Sequence, residues 1–156
     1  MTTTLLSLTV STVLALGIIQ HQHQASHDRA NQGMGFDQDK TTHHFLLEQS
    51  GGTIEVTARD ATDATSTDHI RMHLKHIAAA FAAGDFSLPL FVHDTTPPGV
   101  TVMKDRRAQM TFRYDNVDRG GKVVVRTEDP AALAALYDFL RFQIREHKTG
   151  DALTPR

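Results

Sequence analysis

The 156-residue chain contains no cysteine. That absence excludes disulfides, zinc–thiolate sites, iron–sulfur clusters and a thiol nucleophile. A lipoprotein is excluded too, because its lipid is carried on cysteine. An excess of one charge is also missing: 16 Lys and Arg stand against 18 Asp and Glu. With both signs spread along the chain, nucleic-acid binding lacks the basic face it needs. No nucleotide-binding glycine loop, zinc-protease helix motif or nucleophile elbow occurs. Asp37, Asp60, Asp94 and Asp105 could serve as bases, but nothing in the sequence pairs them. No apolar run reaches the roughly 20 residues of a membrane span. The longest, Leu5 to Ile19, is uncharged and fits the h-region of a secretory signal. Ala15 and Gly17, and later Ala25, offer small residues for cleavage, although Met1 to Thr4 lacks the usual Lys or Arg. The expectation is a periplasmic or secreted protein with no stable membrane span after cleavage; an uncleaved N-terminal anchor or a buried N-terminal helix is the alternative.

What is present is a globular composition, 40% apolar and 22% charged, in a length that suits one domain. Ten histidines stand out. Three of them, His21, His23 and His27, fall in a Gln-rich polar tract. The chain divides into a leader or anchor (1–19), a flexible His/Gln-rich segment (20–40), one domain (41–151) and a short tail (152–156).

The domain reads as two similar halves. His43 to Gln49 leads through Ser50-Gly51-Gly52 to a strand from Thr53 to Ala58, in which Ile54 and Val56 alternate with polar residues. A helix follows to about Ala83 and is closed by Gly84. Later, Gln109 to Asp115 alternates Met110, Phe112 and Tyr114 with polar residues, and Lys122 to Thr127 returns. Asp129 and Pro130 then open a helix that runs to about His147. The pairs Gly51-Gly52 and Gly120-Gly121 are expected to supply tight hairpin turns. Their spacing aligns Ile54 with Val123 and Val56 with Val125, an internal ββα duplication. The fold expected is α+β: a four-stranded antiparallel sheet with two helices on one face. Between the halves, Leu90-Phe91-Val92 reads as a short apolar run and His93 to Gly99 as a rigid loop.

Neutral imidazole is a good ligand for zinc, copper and nickel. His69, His73 and His76 fall within roughly a 60° arc of the first helix, beside its apolar stripe. His43 and His44 are adjacent on a strand and point to opposite faces; if Phe45 and Leu47 face the core, His43 joins them. His93 opens the Pro-Pro-Gly loop, at a strand end, as a ligand or base. Met34 and Met103 add thioethers that would favour copper, above all Cu(I). His147 sits on the apolar stripe of the last helix, where a structural role fits.

Several stretches together resemble a family of small exported, His-rich bacterial proteins of unassigned function. They are Met34-Gly35-Phe36-Asp37, Thr42-His43-His44-Phe45, Gly52 to Val56, His73 to Ala78, Gly84-Asp85-Phe86, His93 with Pro97-Pro98-Gly99, and Phe139 to Asp151. The resemblance implies a histidine set of His43, His44, His73, His76, His93 and His147. Sequences similar to this one sometimes carry the label aspartate carbamoyltransferase. That enzyme needs two sizeable α/β domains and a phosphate-gripping Ser-Thr-Arg-Thr stretch, and this chain has neither.

The functional expectation is an exported metal-binding protein for a copper or zinc ion, serving binding, buffering or delivery. Its site would draw on His73, His76, His93 and one of His43 or His44. The alternative is a non-metal interaction module with pH-sensitive histidines, pairing with a protein partner or as a homodimer. A small enzyme with His93 or His44 as base is a third reading.

Overall fold

The computed structural model describes Arg29 and residues 31–156. The expected leader and the tract carrying His21, His23 and His27 lie outside the described residues. Among the described residues, a helical turn over 31–34 is followed by four strands and four helices in the order β1 (Thr41–Glu48), β2 (Gly51–Ala58), α1 (Ala64–Ala83), α2 (Ser87–His93), α3 (Val100–Asp105), β3 (Met110–Val117), β4 (Gly120–Thr127) and α4 (Pro130–His147). The fold is α+β, with a fully antiparallel sheet in the order β1-β2-β4-β3.

Residues directly opposite each other in an antiparallel pair share a face. Phe45, Ile54, Val123 and Tyr114 therefore form one row across the sheet, and Leu47, Gly52, Val125 and Phe112 the next. These rows pack with Ile70, Leu74, Ile77 and Phe81 of α1 and with Leu136, Phe139, Leu140 and Ile144 of α4 in one core. Helix starts follow from their caps. Asp63 accepts from Ser66 N–H, and Asp129 accepts from Ala132 N–H with Pro130 in the first turn. Asp129→Ala is expected to cost about 1 kcal/mol, seen as a lower urea midpoint with an unchanged slope.

The duplication is carried in the register. Shifting both members of the pair Phe45↔Ile54 by 69 positions gives Tyr114↔Val123, and the same shift maps the whole of one hairpin onto the other. In the central pair, Ile54 faces its own equivalent, Val123. A pseudo-two-fold axis thus passes between them. Even the short 3-10 turns Gln38–Lys40 and Arg107–Gln109 obey the shift, so the repeat begins before β1.

Two expectations are corrected by the structure. The glycine pairs do not make the hairpin turns. The turns are Gln49-Ser50 and Asp118-Arg119, and the glycines are the first residues of β2 and β4. Their lack of a side chain serves close strand approach. A Cβ on Gly51 would lie 1.9 Å from the Val125 carbonyl oxygen, and one on Gly120 would lie 2.0 Å from that of Val56. The second correction concerns the insert between the halves. Leu90, Phe91 and Val92 belong to the helix α2, and His93 is its last residue rather than a strand end. Pro89 is tolerated because it stands in the first turn, where its missing N–H has no helical partner.

The edge of β1 is covered by the chain's own C-terminal segment. Phe45 N–H donates to the Asp151 carboxylate at 2.9 Å, and Arg156 N–H donates to the Leu47 carbonyl at 3.2 Å. That occupies groups an edge strand otherwise offers to another chain. Among the described residues, no helix is long and apolar enough to cross a membrane.

Candidate functional site

Four histidines converge from four elements. His43 lies on the helix-facing side of β1, in register with Val56. His73 sits midway along α1, His93 ends α2, and His147 ends α4. Together with Gln143 and Met34 they line an otherwise apolar cavity of about 70 Å³ between the two long helices, over the β1–β2 hairpin. α2 forms part of its roof, and Arg29 Nε donates to the Val92 carbonyl there at 3.4 Å.

The rings are close. His147 stands 5.4 Å from His43 and 5.4 Å from His93, centroid to centroid, nearly parallel to the first and perpendicular to the second. Phe36 packs against both His73 and His43, at 5.4 Å and 6.2 Å. Burial removes water from these imidazoles and disfavours their charged form. It pushes His43 down to about 4, helped by the charges of His44 and Arg59. His73 is likewise pushed down to about 4 by burial, then by His43 and His76. His147 falls to about 3, by burial and then by His43 and His93. His93 is lowered by burial, against the opposing effects of Gln143 and Glu146. At neutral pH the cluster is therefore uncharged.

Its hydrogen bonding is incomplete. His93 Nε2–H donates to Gln143 Oε1 at 3.1 Å, which leaves the lone pair on His93 Nδ1. That Nδ1, His43 Nε2 and Gln143 Nε2 are all buried without a partner. Leaving a buried polar group unpaired costs about 1–3 kcal/mol each. All three residues carrying these atoms line the one cavity. The space exceeds the ~30 Å³ share of one water.

The expected site residues do not all meet. His43, His73 and His93 line the cavity. His76 and His69 are turned away from the core on α1, because Ile70, Leu74 and Ile77 take the buried stripe. His44 points away from the helix layer, and its Nδ1 bonds Asp151 at 2.9 Å. Burial works against ionisation of Asp151, yet bonds from Thr149, Phe45 N–H and His44 hold it below the usual carboxylate range. His147, whose place on an apolar stripe favours a structural role, stands at the centre of the cluster. Gln143 is not among the residues that sequence patterning singles out. Its signal is local: Leu136, Leu140, Gln143 and His147 continue one helical stripe, and a glutamine inside such a stripe is a buried polar group needing a partner.

Among the described residues, no group of three or more His, Asp or Glu side chains is arranged so that it could hold a metal ion. No family model, curated protein or solved structure matches the chain.

Proposed function

We propose that this is an exported metal-binding protein whose ion, copper or zinc, is taken up in the cavity lined by His43, His73, His93 and His147. The observation that carries this reading is the set of unpartnered buried atoms, His43 Nε2 and His93 Nδ1 above all. Neutral imidazoles with free lone pairs are what a borderline metal ion binds. The Gln143 carbonyl holds the far nitrogen of His93, the kind of outer contact that fixes a ligand's tautomer. The ring of His147 lies 5.4 Å from those of His43 and His93, so neighbouring imidazoles face one cavity. The role we assign to such a site is binding, buffering or delivery.

The test uses the full chain without a tag, with His21, His23 and His27 changed to alanine. Copper and zinc are offered separately, excess is removed, and retained metal is measured by elemental analysis. About one ion per chain is expected, lost in a His43→Leu, His147→Leu variant and kept in a His44→Ala, His76→Ala variant. No retained ion in either case, with the fold intact by circular dichroism, contradicts the proposal and favours the non-metal interaction module.

A further inference from the structure

We infer that the ion this cavity selects is monovalent Cu(I), with the Met34 thioether as a ligand alongside two of the buried imidazoles; this rests on the metal-binding reading above. Three observations point the same way. The first is the coordination number on offer. Zinc in a closed protein site takes four ligands. Among the described residues, no three His, Asp or Glu side chains are arranged for one ion. Cu(I) is content with two or three ligands, so a pair of imidazoles and one thioether suffices.

The second is charge. The residues lining the cavity, among them Met34, His43, His73, His93, Gln143 and His147, include no Asp, Glu, Lys or Arg. Around it, Arg59 and Arg29 act on His43 and His93, and Glu146 is the acidic group that acts on His93. Its carboxylate is 4.0 Å from His93 Nδ1, but that side chain is half in solvent. A divalent ion would thus be buried with no close, buried anion among the cavity-lining residues to balance it. The cost of burying an ion grows with the square of its charge, so Zn(II) would carry roughly four times the penalty of Cu(I). The third is softness. Met34 comes from the helical turn over 31–34 and lines the same cavity as the imidazoles. A thioether adds little for zinc but is a preferred ligand for Cu(I).

The experiment measures both affinities on the same full-length protein, with His21, His23 and His27 changed to alanine. Cu(I) is held reduced under nitrogen and titrated against bathocuproine disulfonate. Zn(II) is titrated against a zinc chelator. Cu(I) is expected to bind one per chain and to outrank Zn(II). Met34→Leu, a nearly volume-conserving change, should weaken Cu(I) by roughly tenfold or more while zinc retention and the urea midpoint stay put. X-ray absorption should show a sulfur scatterer in the native protein that is absent in Met34→Leu. Zn(II) bound more tightly than Cu(I), or Cu(I) affinity indifferent to Met34→Leu, overturns the inference and leaves the metal site standing. Retention of neither ion overturns both.

Discussion

The metal-free protein is expected to unfold in mild acid, with a midpoint between about pH 4 and 5. His43, His73 and His147 have folded-state pKa values lowered to about 4, 4 and 3 from the ordinary value of 6.5. The unfolded chain therefore takes up protons first as pH falls. Stability is undiminished above about pH 6.5 and is lost progressively as pH drops toward the folded values. Each histidine contributes about 1.4 kcal/mol per pH unit in that window. By pH 5 three of them remove about 6 kcal/mol, comparable with the entire stability of a domain this size. Urea titrations from pH 7.5 to 4.5 in the presence of a chelator measure the slope. Replacing His73 and His147 by leucine should flatten it and move the acid midpoint down. A curve that stays level between pH 6.5 and 4.5 would show that these imidazoles remain hydrated. Bound metal should protect against acid, since protons and the ion compete for the same lone pairs.

Gly51→Val and Gly120→Val are each expected to abolish the native fold, and the alanine variants to cost more than about 3 kcal/mol. The reason is geometric. A Cβ at either position lands about 2 Å from a carbonyl oxygen of the neighbouring central strand, 1.9 Å for Gly51 and 2.0 Å for Gly120. The β2–β4 ladder would have to part, and that ladder joins the two halves of the domain. Because the contacts are related by the pseudo-two-fold axis, the two losses should be equal within about 1 kcal/mol. Gly35→Ala is the contrast. It has open space but a φ of +75°, so it should cost only about 1 kcal/mol. Thermal and urea melts of the three alanine variants decide the matter. A stable Gly51→Ala protein would mean that β2 and β4 pair in another register.

Much of the scaffold is legible in the amino-acid sequence. Period-two alternation at Ile54 and Val56, the caps Asp63 and Asp129, and Gly84 are local signals with local causes. The duplication is visible because both halves obey the same pattern. The strand order with β2 beside β4 follows from the pseudo-two-fold axis, and from the sequence it is an inference about packing. The glycine pairs mislead because Gly-Gly signals both a turn and a close approach, and only the partner strand distinguishes them. The insert misleads because Ser87–His93 is too short to display a helical period.

The site is less legible for a clear reason. Each of its histidines comes from a different element, so the packing of four elements decides which rings meet. Spacing along α1 groups His69, His73 and His76, but the burial of Ile70, Leu74 and Ile77 sends only His73 inward. Symmetry offers no help. Aligning the two long helices as the core does, with Ile70 on Leu140 and Leu74 on Ile144, sets His73 against Gln143 and His147 against Ile77. One half carries an aliphatic residue where the other carries the central imidazole. The adjacency of His43 and His44 is read correctly as a split between faces, and the partner of His44, Asp151, is more than a hundred residues away.

Capture of an ion by the cavity histidines is read most directly from the long-range ¹H–¹⁵N imidazole spectrum of the full-length protein, before and after one equivalent of diamagnetic Cu(I). Before addition, His43, His73 and His147 should be neutral at pH 6, and His93 should carry a proton on Nε2. After addition, His43 Nε2, His93 Nδ1 and a nitrogen of His147 are the resonances expected to shift, while His44, His69 and His76 stay in place. Shifts confined to the exposed histidines, or a cavity set left unmoved by the ion, would contradict metal capture in the cavity.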